Sequence, residues 1–352
     1  MRDHRPSQNV SGCKGWRTLP RGSRKDGRHR RLHMLNVALI GLGWWGQTHI
    51  RALHEKSDKI NIDTVVDLNS DLSEKTASGI GARTAPSFEA VLADDTIDAI
   101  ILVTPHDQHT DQIVAGASAG KHIFTEKPFA LSKVEAERAV AAAEAAGIQL
   151  GLGHNQRYGA PQTVIKQMID AGELGEVMHM EGNTSHDTLS GSHAWRHDPA
   201  QAPGGGLWHM GSHYLDLFQH YAGPITEVYA QALDVIIPRD TASALLTFES
   251  GASAYIGNVM VTRDNRMGNV LGSRGWAKMT SPATIEIAMR GGDPKTMQLD
   301  LIDPVRANME GFADAIAGRA AYRFTNQQMI HDVAVLDAMG LSIKSGKREP
   351  VV

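Results

Sequence analysis

The fold class predicted for this 352-residue chain is α/β plus α+β: an N-terminal doubly wound parallel sheet, then a domain with a mostly antiparallel open sheet. Three observations predict it. The apolar run Val37-Ala38-Leu39-Ile40 ends in the glycine turn Gly41-Leu42-Gly43-Trp44-Trp45-Gly46. Apolar runs and helical patterns then alternate as far as residue 152, the grammar of strand–helix–strand units. From residue 177 onward, successive segments alternate polar and apolar residues instead, as strands with one covered face do.

The first half follows in order. After the glycine turn come a helix over 47–56 and a strand over 61–66 that Asp67 closes, twenty-one positions past Gly46. Gly41 allows the tight turn, Gly43 lets the backbone approach a pyrophosphate, and Gly46 lets the helix pack close to the sheet. The helix N-terminus then presents unpaired N–H groups and its positive dipole end to the phosphates, and Asp67 can accept hydrogen bonds from ribose hydroxyls. The segment is thus a Rossmann-type dinucleotide site in its proper context; the plainer alternative is a glycine-rich turn of another α/β protein. Of Trp44 and Trp45, one is expected over the cofactor or substrate mouth and the other against the sheet. Helices over 72–78 and 87–92 lead to the wholly apolar strand 99–103, typical of a sheet covered on both faces. Thr104-Pro105-His106-Asp107-Gln108-His109 lies at its carboxyl end, where ligands bind in open α/β sheets. A helix over 110–119, a strand over 122–124, the tripeptide Glu126-Lys127-Pro128, a helix over 133–146 and a strand over 148–152 complete a nucleotide domain spanning 34–153.

The second domain, 154–352, opens with a helix over 160–171. Strands are expected over 177–183, 226–235, 242–249, 252–260, 269–279, 284–289 and 296–302, then helices over 304–317 and 326–345. No internal repeat appears.

Composition narrows the function classes. No apolar run is long enough to cross a bilayer. The single cysteine, Cys13, can neither form an internal disulfide nor supply a thiolate cluster, which favours a reducing compartment. The formal net charge of −4 is unevenly spread: residues 1–33 hold ten Lys or Arg against Asp3 and Asp26, a formal +8 that leaves −12 for the remainder. So acidic a body is a poor nucleic-acid binder. The basic extension has no hydrophobic periodicity and is expected to be disordered. Arg30-Arg31 before an apolar stretch allows a twin-arginine reading, but that stretch is the first strand of the nucleotide fold and its cleavage would destroy the domain. Met34 therefore reads as the functional start, and a cytoplasmic protein without nucleic-acid or membrane partners is expected.

Four features together resemble the Gfo/Idh/MocA oxidoreductase family, named for glucose-fructose oxidoreductase and inositol dehydrogenase. These are the glycine turn with Asp67, Thr104-Pro105 with His109, Glu126-Lys127-Pro128, and Gly204-Gly205-Gly206-Leu207-Trp208-His209-Met210-Gly211-Ser212-His213. The resemblance runs from Met34 nearly to the C-terminus. It implies a nicotinamide-dependent enzyme acting on a sugar, polyol or cyclic diol, and a homodimer or homotetramer built through the C-terminal sheet. It also implies that Thr104, Pro105, His109, Glu126 and Lys127 contact the cofactor and that the tripeptide lysine, Lys127, is catalytic. It implies as well that His213 joins that lysine as an acid–base group.

The chemistry can be argued beside it. Oxidising a secondary alcohol needs a hydride acceptor and a base for the hydroxyl proton. Lys127 follows a strand at the ligand-binding edge, and a lysine desolvated beside a cationic nicotinamide ring has its charged form disfavoured. The alternative for Lys127 alone is a solvated loop lysine, and for His213 a satisfied buried histidine. His209, a third catalytic candidate, departs from the family pattern, in which aspartate is frequent at this position; a neutral imidazole hydrogen-bonds but lacks the fixed negative charge. His209 and His213 also have an H-x-x-x-H spacing, but the metalloprotease glutamate is missing and Gly211 weakens a helix, so no metal is expected. Arg157 matches a frequent family arginine and, with Tyr158, Trp195, Arg196, His209 and His213, is a candidate substrate-binding residue; for the loop residues a plain polar loop is the alternative. Asp67 repels a 2′-phosphate and Leu68-Asn69 supply no arginine to receive one, so NAD is favoured over NADP. The leading reading is an NAD-dependent sugar, inositol or polyol dehydrogenase. A lyase, hydratase or glycosidase that retains NAD for transient oxidation, and a sugar-responsive NAD-binding regulator without turnover, are the alternatives.

Overall fold

The computed structural model describes residues 34–188 and 204–352. The basic extension and the segment with His193, Trp195, Arg196 and His197 lie outside the described residues.

The parallel sheet assembles in chain order from β1 (Leu35–Ile40), α1 (Trp44–Leu53), β2 (Ile60–Val66), α2 (Ser70–Ile80), β3 (Arg83–Thr84), α3 (Phe88–Leu92), β4 (Ala99–Leu102), α4 (His109–Ser118), β5 (His122–Thr125), α5 (Lys133–Ala146) and β6 (Leu150–Leu152). Its order is β3-β2-β1-β4-β5-β6 and every pairing is parallel. The order reverses between β1 and β4, and the crevice at such a switch point is where doubly wound sheets bind ligands. All four residues of β4 are buried, as is most of β1, and each such aliphatic side chain contributes about 1.5–3 kcal/mol of burial.

Boundaries differ from the sequence expectation where geometry outweighs pattern. Helix α1 begins at Trp44 rather than at residue 47, since both tryptophans sit in its first turn. Its N-cap, Gly43, has no side chain to cap the helix, which leaves the leading N–H groups for an anion. The two-residue strand β3 has too little sequence to signal itself.

The second sheet follows α6 (Ala160–Asp170), β7 (Val177–Ser185) and α7 (Ser212–Ala222). It continues through β8 (Ile225–Leu233), β9 (Thr241–Phe248), β10 (Ser253–Val259), β11 (Asn265–Gly272), β12 (Gly275–Ser281), β13 (Thr284–Met289) and β14 (Lys295–Gln298). After α8 (Pro304–Ile316) and α9 (Asn326–Ser345), β15 (Glu349–Pro350) adds an edge strand. The order is β14-β13-β12-β11-β7-β10-β9-β8-β15. All its pairings are antiparallel except β10 with β7, which is parallel. The single strand expected over 269–279 is a hairpin instead. Its turn forms because Ser273 and Arg274 donate their N–H groups to Glu176 O and Leu174 O, at 2.9 and 3.0 Å.

Helices α8 and α9 are both capped at their N-termini. Asp303 caps α8, with Pro304 in the first turn, and Thr325 with Gln328 forms a capping box on α9. Met309, Phe312 and Ala313 of α8 pack into the core of the parallel sheet with Val37, Leu39 and Phe124, and Phe312 meets Phe124 edge to face at 5.7 Å. Met329 and Val333 of α9 do the same on another flank, while Val335 and Met339 pack into the core under the nine-stranded sheet. Among the described residues no helix is long and apolar enough to cross a membrane.

Candidate active site

The glycine turn forms as its residue types require. Gly41 has φ +94°, and a Cβ there would lie 2.6 Å from Val103 O. A Cβ on Gly46 would overlap Gly41 O, whereas at Gly43 nothing stands within 4 Å of the Cβ direction. The turn is closed where the chain packs on itself and open where a phosphate would sit.

That opening belongs to a cleft of about 1020 Å³ lined by Gly41, Gly43, Asp67, Leu68, Thr104 and Pro105, among others. Asp67 accepts from Leu42 N at 2.8 Å through one carboxylate oxygen and from Asn69 N at 3.0 Å through the other. Each oxygen keeps lone-pair capacity for a ribose hydroxyl. None of the cleft's described lining residues is Lys or Arg, while Glu74, Glu89, Asp107 and Asp111 join Asp67 there. A 2′-phosphate would meet only negative charge, so the residues fit NAD. Trp44 is 58% exposed at the start of α1 and meets Trp45 edge to face at 5.0 Å; the half-buried Trp45 leans toward His49.

The loop after β5 carries the next group. Glu126 is buried and its carboxylate meets His49 Nε2 at 2.8 Å, so this cofactor candidate is tied to α1. Sequence reasoning missed His49; its signal was its place one turn after Trp45. His109, expected to touch the cofactor, is instead wholly buried. Its two ring nitrogens lie 3.0 Å from Pro128 O and 3.0 Å from Thr104 O, so it clamps together the loops that follow β4 and β5. Thr104 reaches Gln112 through its hydroxyl at 2.6 Å. His106, beside them, is pushed down to about 3 by burial and by the positive charges of His109 and Lys127.

Lys127 is half-buried and the Lys127–Pro128 bond is cis. The lysine is not the solvated loop residue of the plainer reading: its Nζ donates to the main-chain carbonyl of His209. Residues Leu207–Gly211 form a π-helical turn that runs directly into α7, so the H-x-x-x-H spacing does not fall on a regular α-helix. His213, buried on α7, turns its Nδ1 toward His154 Nδ1 at 3.3 Å. Burial first, then the charges of Lys127 and Arg266, hold His213 well below the ordinary histidine range, so its imidazole is neutral at physiological pH.

Arg157 and Tyr158 depart most from expectation as substrate-binding candidates. The turn Asn155–Tyr158 aims both into the core. Arg157 forks onto Asp216 at 2.9 and 2.6 Å, donates to Arg323 O at 2.7 Å and Gln328 Oε1 at 3.0 Å, and stacks 4.0 Å over Phe324. Tyr158 is buried beneath the Arg323 guanidinium, 4.3 Å from its ring, and burial pushes its hydroxyl up to about 12. Asp216, Gln219 and Asp332, the polar partners in this core, were also missed; their signal was polar side chains on the apolar faces of α7 and α9. His154, Asp216 and Asp332 hold ligand-type atoms within 4.8 Å of one another. Arg157 occupies both oxygens of Asp216 and Gln219 donates to Asp332, so a fixed cation already balances the charge there.

Comparison with known proteins agrees with this geometry. Residues 35–154 match the oxidoreductase family model with an NAD-binding Rossmann fold, and residues 163–278 match the Gfo/Idh/MocA C-terminal domain. The 4-carboxy-2-hydroxymuconate-6-semialdehyde dehydrogenase of a Sphingobium strain is 30% identical over 56% of this chain, an alignment that spans 62% of that enzyme. The scyllo-inositol 2-dehydrogenase (NAD(+)) of Bacillus subtilis is 29% identical over 69% of this chain and 73% of its own length. Among solved structures, a putative NADPH-dependent oxidoreductase of Desulfitobacterium hafniense superposes with a TM-score of 0.83 at 26% identity, covering 91% of this chain and 98% of that one. With both family models matched, the chain belongs to the Gfo/Idh/MocA family of NAD-binding oxidoreductases.

Proposed function

We propose that this protein is an NAD-dependent oxidoreductase moving a hydride between nicotinamide and a secondary alcohol or ketone of a sugar, inositol or related cyclic polyol, with Lys127 and His213 as its acid–base groups. The observation that carries the reading is the lysine anchored on the π-turn at His209, one helical step from a buried neutral histidine. Lys127 follows β5 at the end of the sheet that bears the glycine cleft.

NAD, when bound, supplies the hydride acceptor. The chain's own residues handle the proton. In the oxidising direction the Lys127 amine takes the hydroxyl proton as the C–H bond breaks, and in the reducing direction the ammonium returns it to the carbonyl oxygen. His213, neutral, hydrogen-bonds the same oxygen as charge develops on it. His209 holds Lys127 through its backbone carbonyl. Such an assignment accords with the inositol dehydrogenase relative.

The second sheet presents an outer face on which Tyr229, Leu245 and Tyr255 stand in register across three strands, next to Leu271 opposite Trp276. Leu245 is 51% exposed. Glu181 and Lys278 interleave with these apolar groups on the same face, a self-complementary pattern suited to a second copy of this chain. A homodimer or homotetramer built on this face is therefore part of the proposal.

The test is a panel of sugars, inositols and dihydrodiols, assayed for NADH formation by the wild-type enzyme and by Lys127→Ala. Loss of a general base of this kind lowers turnover about 10²- to 10⁴-fold. Absence of NADH with every compound, or a Lys127→Ala enzyme as fast as wild type, refutes the reading. NAD that co-purifies while only net isomerised or dehydrated product forms moves the chain to the retained-cofactor class.

A further inference from the structure

The nine-stranded sheet carries a row of polar side chains near the start of α7, and the proposed chemistry uses none of them. Strand register fixes the face they occupy. Gly182 of β7 pairs with Gly268 of β11, and a Cβ on either would crowd Tyr214 of α7, so both residues face that helix. Two positions along, Thr184 pairs with Arg266, and the period of two puts this pair on the same face. Asn258 of β10 extends the row, donating its amide to Thr184 O and to Thr184 Oγ1, at 2.9 Å each. Beyond Asn258 lies Gly206, where a Cβ would overlap the Asn258 Oδ1. Gly206 leads directly into the π-helical turn whose His209 carbonyl takes Lys127. The row Arg266–Thr184–Asn258 therefore runs along the foot of the segment that carries the lysine's anchor and His213.

Thr184 and Asn258 are buried and bonded to each other. Arg266 is not spent in this way. Its side chain is 55% exposed, and among the described residues its ion partner is Asp264 at 3.6 Å, too long for a hydrogen bond. Asp264 is exposed as well, and a solvent-screened pair of this kind is weak enough to be exchanged. The arginine's charge nevertheless acts on the site: burial first, then the charges of Lys127 and Arg266, hold His213 below the ordinary histidine range. Residues 204–215, from the glycine triplet through the first turn of α7, include no Asp or Glu to offset these cations. The next acid, Asp216, is already forked onto Arg157.

We propose that Arg266 is a specificity-determining residue and that the alcohol taken by this site carries a carboxylate, as a sugar acid or a carboxylated cyclic polyol does. The inference rests on the dehydrogenase reading, because Lys127 and His213 are where the alcohol would react. A guanidinium offers parallel N–H groups at the spacing of two carboxylate oxygens, so the fork binds the acid end in one orientation. Holding that end selects which hydroxyl reaches Lys127. The carboxylate displaces Asp264 from Arg266, one monoanion replacing another, so the local charge stays balanced. A neutral sugar offers nothing to exchange, and a phosphate dianion brings a second charge that this lone arginine leaves unpaired.

The test pairs substrates that differ at the acid group: glucose with glucuronate, galactose with galacturonate, and inositol with quinate. The full-length enzyme is assayed for NADH formation, and binding of each acid to the enzyme–NADH complex is followed by titration calorimetry. The wild-type enzyme is expected to favour the acid of at least one pair by about tenfold or more in kcat/KM. Arg266→Gln is expected to lower the acid-to-neutral ratio about 10- to 100-fold, the span of a charge-assisted hydrogen bond, chiefly through KM, and to weaken acid binding to the NADH complex in parallel. Arg266→Lys keeps the charge without the fork and is expected to recover part of both. Asp264→Asn, which removes the competing carboxylate, is expected to lower KM for the acid. A wild-type enzyme that prefers the neutral partner of every pair, a better rate with glucose 6-phosphate than with any acid, or an Arg266→Gln ratio equal to wild type overturns the inference. The dehydrogenase reading fails differently, by absence of NADH with acids and neutral alcohols alike, and the calorimetric comparison is read without turnover.

Discussion

Arg157→Met tests whether this arginine holds the core together, as the structure places it, or reads substrate, as its sequence position suggests. The guanidinium is buried, forks onto the buried Asp216, and makes two further hydrogen bonds to Arg323 O and Gln328 Oε1. Methionine keeps much of the volume but leaves the Asp216 carboxylate buried without its cation, beside Asp332. Breaking a buried ion pair from one side costs about 3–5 kcal/mol. Unfolding entropy of roughly 2.1 cal/mol/K per residue gives roughly 0.7 kcal/mol/K for this chain, so Tm falls by about 4–7 °C. Scanning calorimetry reads the shift, and Arg157→Met/Asp216→Leu supplies the control. With both charges gone, no carboxylate is stranded, and the double variant is expected to unfold above the single one. A single variant melting within about 1 °C of wild type, with KM for the alcohol raised instead, refutes the buried-core account. A double variant no more stable than the single removes the stranded-charge argument.

Three further outcomes follow from the packing and the charges. Gly46→Ala drives a Cβ onto Gly41 O; overpacking of this kind costs about 1–3 kcal/mol, so NAD affinity by titration calorimetry is expected to weaken about tenfold or more, and unchanged binding counts against the turn as the pyrophosphate cradle. Leu245→Glu puts a charge amid the apolar row of the outer sheet face, and light scattering is expected to show dissociation to monomers if that face joins copies of the chain; an unaltered mass rejects it. Asp332 binds its proton more tightly folded than unfolded, so the unfolded state holds fewer protons above pH 3.8 and stability falls as pH rises from there toward the folded value. Relative to wild type, Asp332→Asn is expected to gain stability with rising pH in urea titrations between about pH 5 and about pH 7.5, and parallel curves would contradict a buried protonated carboxyl.

What was legible in the sequence was whatever periodicity or a steric demand writes into residue type. The glycine turn had to be glycine because Val103 O and Gly41 O leave no space for a Cβ, and β4 had to be apolar throughout because both its faces are covered. The helix expected from residue 326 starts there, and the structure shows a capping box of Thr325 and Gln328 at that end. The β11–β12 turn and the parallel β7–β10 pairing were not legible, since both depend on hydrogen bonds from distant segments rather than on local pattern. Within the site the same rule applies. Lys127 and His213 are proposed on motif, whereas Arg157 reads as a polar loop residue until Asp216, Arg323 and Gln328 arrive from other elements. His109 was misread for a related reason. A histidine after a ligand-edge strand looks like a ligand contact, and only the fold shows Thr104 O and Pro128 O on either side of its ring.

Position 209 shows why a departure from a family pattern need not disable a site. An aspartate there would present its charge to the lysine through the side chain, and replacing it with histidine removes that charge. In this chain the lysine Nζ meets the carbonyl oxygen of residue 209 instead, an acceptor that every residue type supplies. The π-helical turn Leu207–Gly211 places it there, since an extra residue in the turn changes which carbonyls the helix ladder consumes. The lysine's anchor is thereby separated from the identity of the 209 side chain, and that side chain becomes available to vary with substrate. Under the proposed reaction, the substitution should therefore alter which alcohol is held more than whether its proton is removed.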